Sequence, residues 1–205
     1  KRRIMGLLQA TPFFFFFVPS IEQILSGQAQ LQELREIEID DLLGRDPVPP
    51  RVELLENCIR GKTVLVTGAA GSIGSELCRQ IVNLGVERLI LFDNSEFGLY
   101  SLESKLSQRA LQMGRKGAVV PLLGSVTDRG RLEAVFAAYR VQTVYHAAAY
   151  KHVPLVEHNC CEGIKTNVLG TWNVADCARR HGVERFILVS TDKAVRPTNV
   201  MGATK

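Results

Sequence analysis

Between positions 62 and 189 the chain repeats one pattern, a short and almost wholly apolar run followed by apolar residues at helical spacing. The apolar runs fall at 64–66, 89–92, 119–123, 143–145 and 186–189, and the helical stretches at 73–84, 95–113, 128–139 and 161–180. A strand apolar on both of its faces is stable only where both are covered, and helices between successive strands supply that cover. The pattern therefore predicts an α/β fold, a doubly wound parallel sheet of the Rossmann type, over residues 46–205.

The first apolar run leads directly into Thr67-Gly68-Ala69-Ala70-Gly71-Ser72-Ile73-Gly74. Each glycine has a mechanical purpose. Gly68 permits a tight turn, Gly71 lets backbone amides approach a pyrophosphate, and Gly74 lets the helix sit close to the strand. The amides of Ser72 and Ile73 would open that helix and, with its dipole, face the phosphates. Glycine turns occur in many folds, but a strand before and a helix after are the context this one needs.

The second run ends at Asp93, 25 positions after Gly68. A carboxylate there accepts hydrogen bonds from adenosine ribose hydroxyls and repels a 2′-phosphate, which favours NAD over NADP. The same side chain would also serve as the cap of a helix starting near Ser95. After the third run, Ser125 and Val126 fall where an adenine edge would lie, and Asp128 reads equally well as a ligand to it or as a helix cap. Beyond the fourth run, Ala147 and Ala148 leave room for a flat ligand at the strand's end.

The first 45 residues have a different texture. A five-phenylalanine run within 13–18 lies between Pro12 and Pro19, behind Lys1-Arg2-Arg3. It is far shorter than the about 20 residues a bilayer span needs and has no cleavage site after it, so a short buried strand is expected instead. The proline-rich stretch 46–50 stiffens the junction, and the missing initial Met reads as that of an internal piece of a longer protein. Net charge is +4 with basic and acidic residues interspersed, which gives nucleic-acid binding no support. The five cysteines are odd in number and lack a C-x-x-C pair, so buried reduced thiols are expected. His146, His152 and His158 share no face, and no metal site is expected. Asn167 is expected to form structural hydrogen bonds and Trp172 to pack inside.

Three segments together resemble a known family: the glycine turn, His146-Ala147-Ala148-Ala149-Tyr150-Lys151-His152-Val153-Pro154, and Val189-Ser190-Thr191-Asp192-Lys193-Ala194-Val195 with Pro197-Thr198-Asn199-Val200-Met201-Gly202. They are similar to those of the polysaccharide-biosynthesis (CapD-like) proteins, UDP-N-acetylglucosamine 4,6-dehydratases of the extended short-chain dehydrogenase class. The likeness covers about residues 40 to 205, and it implies that residues 1–45 are the tail of a preceding nucleotide-fold-like domain and its linker. It implies NAD as cofactor and a UDP-sugar as substrate. It further implies a cytoplasmic domain whose inner-membrane-anchored bacterial parent reaches the membrane only through preceding segments, and it leaves a homo-oligomer open.

That resemblance also assigns roles. A 4,6-dehydratase oxidises C4 of the sugar, removes the C5 proton and expels the C6 hydroxyl, which requires a base and an acid. By resemblance Asp192 is the acid and Lys193 the base, and Thr191 hydrogen-bonds the C4 hydroxyl. Partial burial would move the pKa values of the pair toward neutrality. The alternative for Asp192 and Lys193 is a solvated surface pair. The usual Tyr-x-x-x-Lys of the class is here Met201-Gly202-Ala203-Thr204-Lys205. Methionine has no proton to exchange, so Thr191 is expected to replace the tyrosine while Lys205 holds the nicotinamide ribose. Lys151 and His152 are read either as approaching the substrate or as plain surface. The 205-residue chain by itself is expected to be inactive. A nucleotide-sugar epimerase and a non-catalytic NAD-binding module are the competing readings.

Overall fold

A computed structural model describes residues 51–205, together with the backbone of two short strands, β1 (Phe16–Phe17) and β2 (Arg35–Glu36), which pair antiparallel. The chain divides into the units Lys1–Pro50 and Arg51–Lys205. The expected strand at 13–18 is described only at Phe16–Phe17, and the proline-rich stretch 46–50 lies outside the described residues.

The second unit opens with α1 (Val52–Ile59) and then alternates strand and helix. Its strands are β3 (Thr63–Thr67), β4 (Arg88–Asp93), β5 (Val119–Leu123), β6 (Thr143–His146) and β7 (Arg185–Leu188), all parallel in the order β5-β4-β3-β6-β7. Connecting them are α2 (Ser72–Asn83), α3 (Glu96–Gln112) and α4 (Arg129–Tyr139). Between β6 and β7 run α5 (Val153–His158), α6 (Cys160–Gly163), a π-helical segment (Ile164–Gly170) and α7 (Thr171–Arg180). After β7 come a 3₁₀ turn (Asp192–Ala194) and α8 (Val200–Ala203). Strand order changes direction between β3 and β6, and sheets of this kind open a crevice at such a point.

Alternate residues of each strand feed two separate cores. Val64, Val66, Leu89 and Leu91 pack with Cys78 and Ile81 of α2 and Leu99 and Leu106 of α3. One residue out of step, Leu65, Ile90, Phe92 and Val144 pack with Leu132 and Phe136 of α4 and Val174 and Cys177 of α7. The unbroken apolar runs are thus the sum of two alternating patterns. Each fully buried side chain of this size contributes roughly 1.5–3 kcal/mol. Ser95 caps α3 by accepting from the Gly98 amide, and Asp128 caps α4 by accepting from Arg131.

Four details depart from the sequence reading. Helix α1 was not expected, and it seats Ile59 in the first core. The single helix expected at 161–180 is broken by the π segment. Gly163 and Gly170 flank it at points where a Cβ would lie 2.7 Å from Val156 and 2.6 Å from Val126, so contacts from outside shape the helix here. Trp172 is 66% exposed rather than packed, because α7 buries Val174, Cys177 and Ala178 on its opposite side. All five cysteines are free, but only Cys78 and Cys177 are buried, whereas Cys161 is exposed. Burial pushes the thiols of Cys78 and Cys177 up, to about 12 and about 11.

Candidate functional site

The glycine turn is a backbone-to-backbone joint. Gly68 has φ 65°, and a Cβ on it would lie 2.6 Å from the backbone of Ala148. A Cβ on Gly74 would lie 2.0 Å from the Gly68 carbonyl oxygen. The Gly71 amide donates to that same oxygen at 3.1 Å. Glycine therefore lets β3, the start of α2 and the end of β6 meet without side chains between them. No side chain caps α2, so the first-turn amides, those of Ser72 and Ile73 among them, are left for an external acceptor.

Around this joint lies a cavity of about 510 Å³ at the carboxyl ends of β3, β4, β5 and β6. Gly68 and Gly71 form one wall and Asp93 stands beside them. The Asp93 carboxylate accepts from the Ala70 amide at 2.9 Å and the Ser95 amide at 2.8 Å, which fixes it at the rim. Ser95, not Asp93, caps α3. Ser125 and Val126 line the next wall, as expected, and Ala147 and Ala148 the far one. Asp128 is outside the cavity and serves only as the cap of α4. A glycine cradle, open helix amides, a fixed carboxylate and a small-residue wall suit a dinucleotide.

Two buried polar clusters brace the cavity. His146, 1% exposed, bonds Thr67 through Nδ1 at 2.6 Å and Thr171 through Nε2 at 2.9 Å, linking β3, β6 and α7. Burial, and secondarily the Lys205 ammonium, pushes its pKa down to about 4, so the ring is neutral. Asn167, in the π segment, accepts from the Tyr150 amide at 2.8 Å and donates to the Tyr150 carbonyl and the Thr204 hydroxyl. It is the structural hydrogen-bonding residue the sequence indicated.

The second group of expected site residues is placed apart from the cavity. Thr191, Asp192 and Lys193 follow the carboxyl end of β7, and none of them lines it. The Thr191 hydroxyl donates to Asp192 at 2.9 Å, and Lys193 lies 3.4 Å from the same carboxylate. The side chains of Asp192 and Lys193 are 87% and 53% exposed. The Thr191 hydroxyl, then the Lys193 ammonium, holds the Asp192 carboxyl below the usual range, opposite to the shift that burial was expected to cause. Met201 is buried, and a Cβ on Gly202 would sit 2.3 Å from the Lys193 carbonyl oxygen, so α8 presses directly on this turn. Lys205 lies beyond the end of α8, not on it. Its ammonium donates to the Val189 carbonyl at 2.8 Å in a hollow shared with Trp172 and Leu188, and burial lowers its pKa. Lys151 and His152 line a third hollow of about 300 Å³ that shares Tyr150 and Glu162 with the main cavity.

Sequence reasoning missed Tyr150, Glu162, Lys165 and Thr166 as cavity residues. On a regular helix the pair Glu162 and Lys165 reads as a solvated ion pair, which it also forms, at 2.8 Å.

The chain is 45% identical over 190 residues to the capsular polysaccharide biosynthesis protein CapD of Staphylococcus aureus, covering 93% of this chain and 31% of that protein. It is 36% identical over 146 residues to a UDP-N-acetylglucosamine 4,6-dehydratase (inverting) of Campylobacter jejuni, covering 71% and 41%. A UDP-glucose 4-epimerase of Rickettsia rickettsii is 35% identical over 145 residues, covering 70% and 40%. The structure of the Bordetella bronchiseptica enzyme WbmG in complex with NAD and UDP superposes with a TM-score of 0.58 at 28% identity, over 71% of this chain and 47% of that one. The chain thus spans 31% to 41% of the length of these curated relatives. Residues 64–205 match the polysaccharide biosynthesis protein family, and the chain belongs to that family.

Proposed function

We propose that these residues form the dinucleotide-binding part of an NAD-dependent nucleotide-sugar 4,6-dehydratase acting on UDP-N-acetylglucosamine in surface polysaccharide synthesis. The observation that carries this reading is the cavity in which the Gly68–Gly71 cradle, at the start of the uncapped helix α2, and the Asp93 carboxylate meet. WbmG, with NAD and UDP bound, and the Campylobacter dehydratase support the ligand and the reaction class.

In this reading Asp93 accepts from the adenosine ribose hydroxyls, and the amides of Ser72 and Ile73 donate to the diphosphate. NAD, when bound, takes up and returns the hydride of the sugar. Lys193 Nζ would remove the C5 proton and Asp192 would protonate the departing C6 hydroxyl. Both groups are solvated here, and Asp192 is ionised. A sugar bound against the pair would desolvate it and raise the Asp192 carboxyl pKa toward the range a proton donor needs. Thr191 stands in the role of the class's tyrosine, since Met201 offers neither hydroxyl nor exposure. The membrane attachment of a longer parent belongs to the same proposal. No described helix is long and apolar enough to cross a membrane.

The test uses a polypeptide carrying these residues at the length of the CapD relative, mixed with UDP-N-acetylglucosamine. A 4-keto-6-deoxy product is expected, and an Asp192→Asn, Lys193→Ala double variant should abolish it. A product altered only at C4 would establish the epimerase reading instead. Binding of NAD with no turnover would establish the non-catalytic one.

A further inference from the structure

The charges lining the main cavity do not balance for a diphosphate. Two carboxylates, Asp93 and Glu162, face it, and Lys165 is the only cation among its described lining residues. The α2 N-terminus supplies the equivalent of roughly half a positive charge, against the two negative charges of a dinucleotide's diphosphate. A cation would offset part of the remainder, and Lys165, which lines the cavity, is now held by Glu162.

The backbone explains how a helix residue comes to face the cavity. Lys165 and Thr166 belong to the π segment, whose wider turn shifts the register of side chains relative to the α-helix on either side. The segment is pinned at both ends of the cavity. Gly170 abuts Val126, and Asn167 grips the Tyr150 backbone through two hydrogen bonds and donates a third to the Thr204 hydroxyl. Gly68 and Gly71 form a wall of the same cavity.

We infer that Lys165 is a diphosphate-binding residue that exchanges its Glu162 partner for the phosphates, so that Glu162 competes with the ligand and sets its affinity. This rests on the dinucleotide reading of the cavity. The exchange is a swap of one ion pair for another, with Lys165 remaining protonated throughout. A partly exposed charge-assisted contact of this kind changes affinity by about five- to tenfold.

The experiment titrates the purified 205-residue chain with NAD, ADP-ribose and adenosine by calorimetry. Lys165→Gln should weaken NAD and ADP-ribose about five- to tenfold and leave adenosine unchanged, and Lys165→Arg should restore most of the loss. Glu162→Gln should tighten NAD about threefold, and raised salt should shrink both effects. Wild-type binding with an unchanged Lys165→Gln variant, or equal weakening of adenosine, overturns the exchange while the dinucleotide reading stands. Failure of the wild type to bind NAD sinks both. Should Lys165→Gln melt far below the wild type, Glu162→Gln decides alone, and absence of tightening refutes the inference.

Discussion

Replacing Gly74 by alanine isolates the joint on which the cavity depends. The new Cβ would stand 2.0 Å from the Gly68 carbonyl oxygen, 2.8 Å from its carbonyl carbon and 3.0 Å from Ala69 Cα, whereas ordinary contact begins at 3.4 Å. All three atoms are backbone, so no side chain can step aside. The start of α2 must retreat by about 1.4 Å, and overpacking of this kind costs about 1–3 kcal/mol. Alanine returns about 1 kcal/mol through its better helix propensity. The net loss is then about 0–2 kcal/mol, a fall in Tm of at most about 8 °C for a unit of this size. Binding suffers more, since the displaced amides lose charge-assisted hydrogen bonds each worth about 1.5–3 kcal/mol. Two such losses weaken NAD at least about 100-fold. Differential scanning fluorimetry and an NADH fluorescence titration measure the two quantities. Gly61→Ala is the control. Gly61 has φ 67° with nothing within 4 Å of a Cβ, so it should cost about 1 kcal/mol and leave affinity unchanged. A Gly74→Ala chain that binds like wild type would refute the reasoning.

Stability should fall with acid because of His146. Its folded pKa is depressed from 6.5 to about 4, so the unfolded chain takes up a proton before the folded one does. The contribution is whole above pH 6.5 and is lost as pH drops from there to about 4, amounting to about 3 kcal/mol. Urea midpoints at pH 7, 5.5 and 4.5 measure it, and a His146→Gln variant should flatten the dependence in that window. Asn167→Ala leaves the Tyr150 amide and carbonyl without their side-chain partner, and should cost about 2–4 kcal/mol by chemical denaturation. A loss under about 0.5 kcal/mol would mean that these bonds are replaced by water.

The sheet was legible because its strands are buried on both faces, which leaves unbroken apolar runs such as 64–66 and 89–92. The glycine turn and Asp93 were legible because each answers a local geometric demand: a positive φ, a close approach, a strand end. The missed features depend on distant parts of the chain. The π segment arises where Gly163 and Gly170 meet Val156 and Val126 and where Asn167 grips Tyr150, none of which is a spacing in the sequence. Lys165 and Glu162 carried the signature of a surface pair and gained a cavity only through that shift of register. The position of Thr191, Asp192 and Lys193 beyond a strand tip could be read, but their exposure depends on what packs above them.

The absent side chain of Gly202 has a mechanical consequence. With the Lys193 carbonyl occupying the place where a methyl group would stand, the 3₁₀ turn and α8 fit against each other like two halves of a hinge closed flat. The backbone that carries Asp192 and Lys193 therefore lies in direct contact with that of α8. A side chain at position 202 would have to push α8 away from the turn that bears both groups.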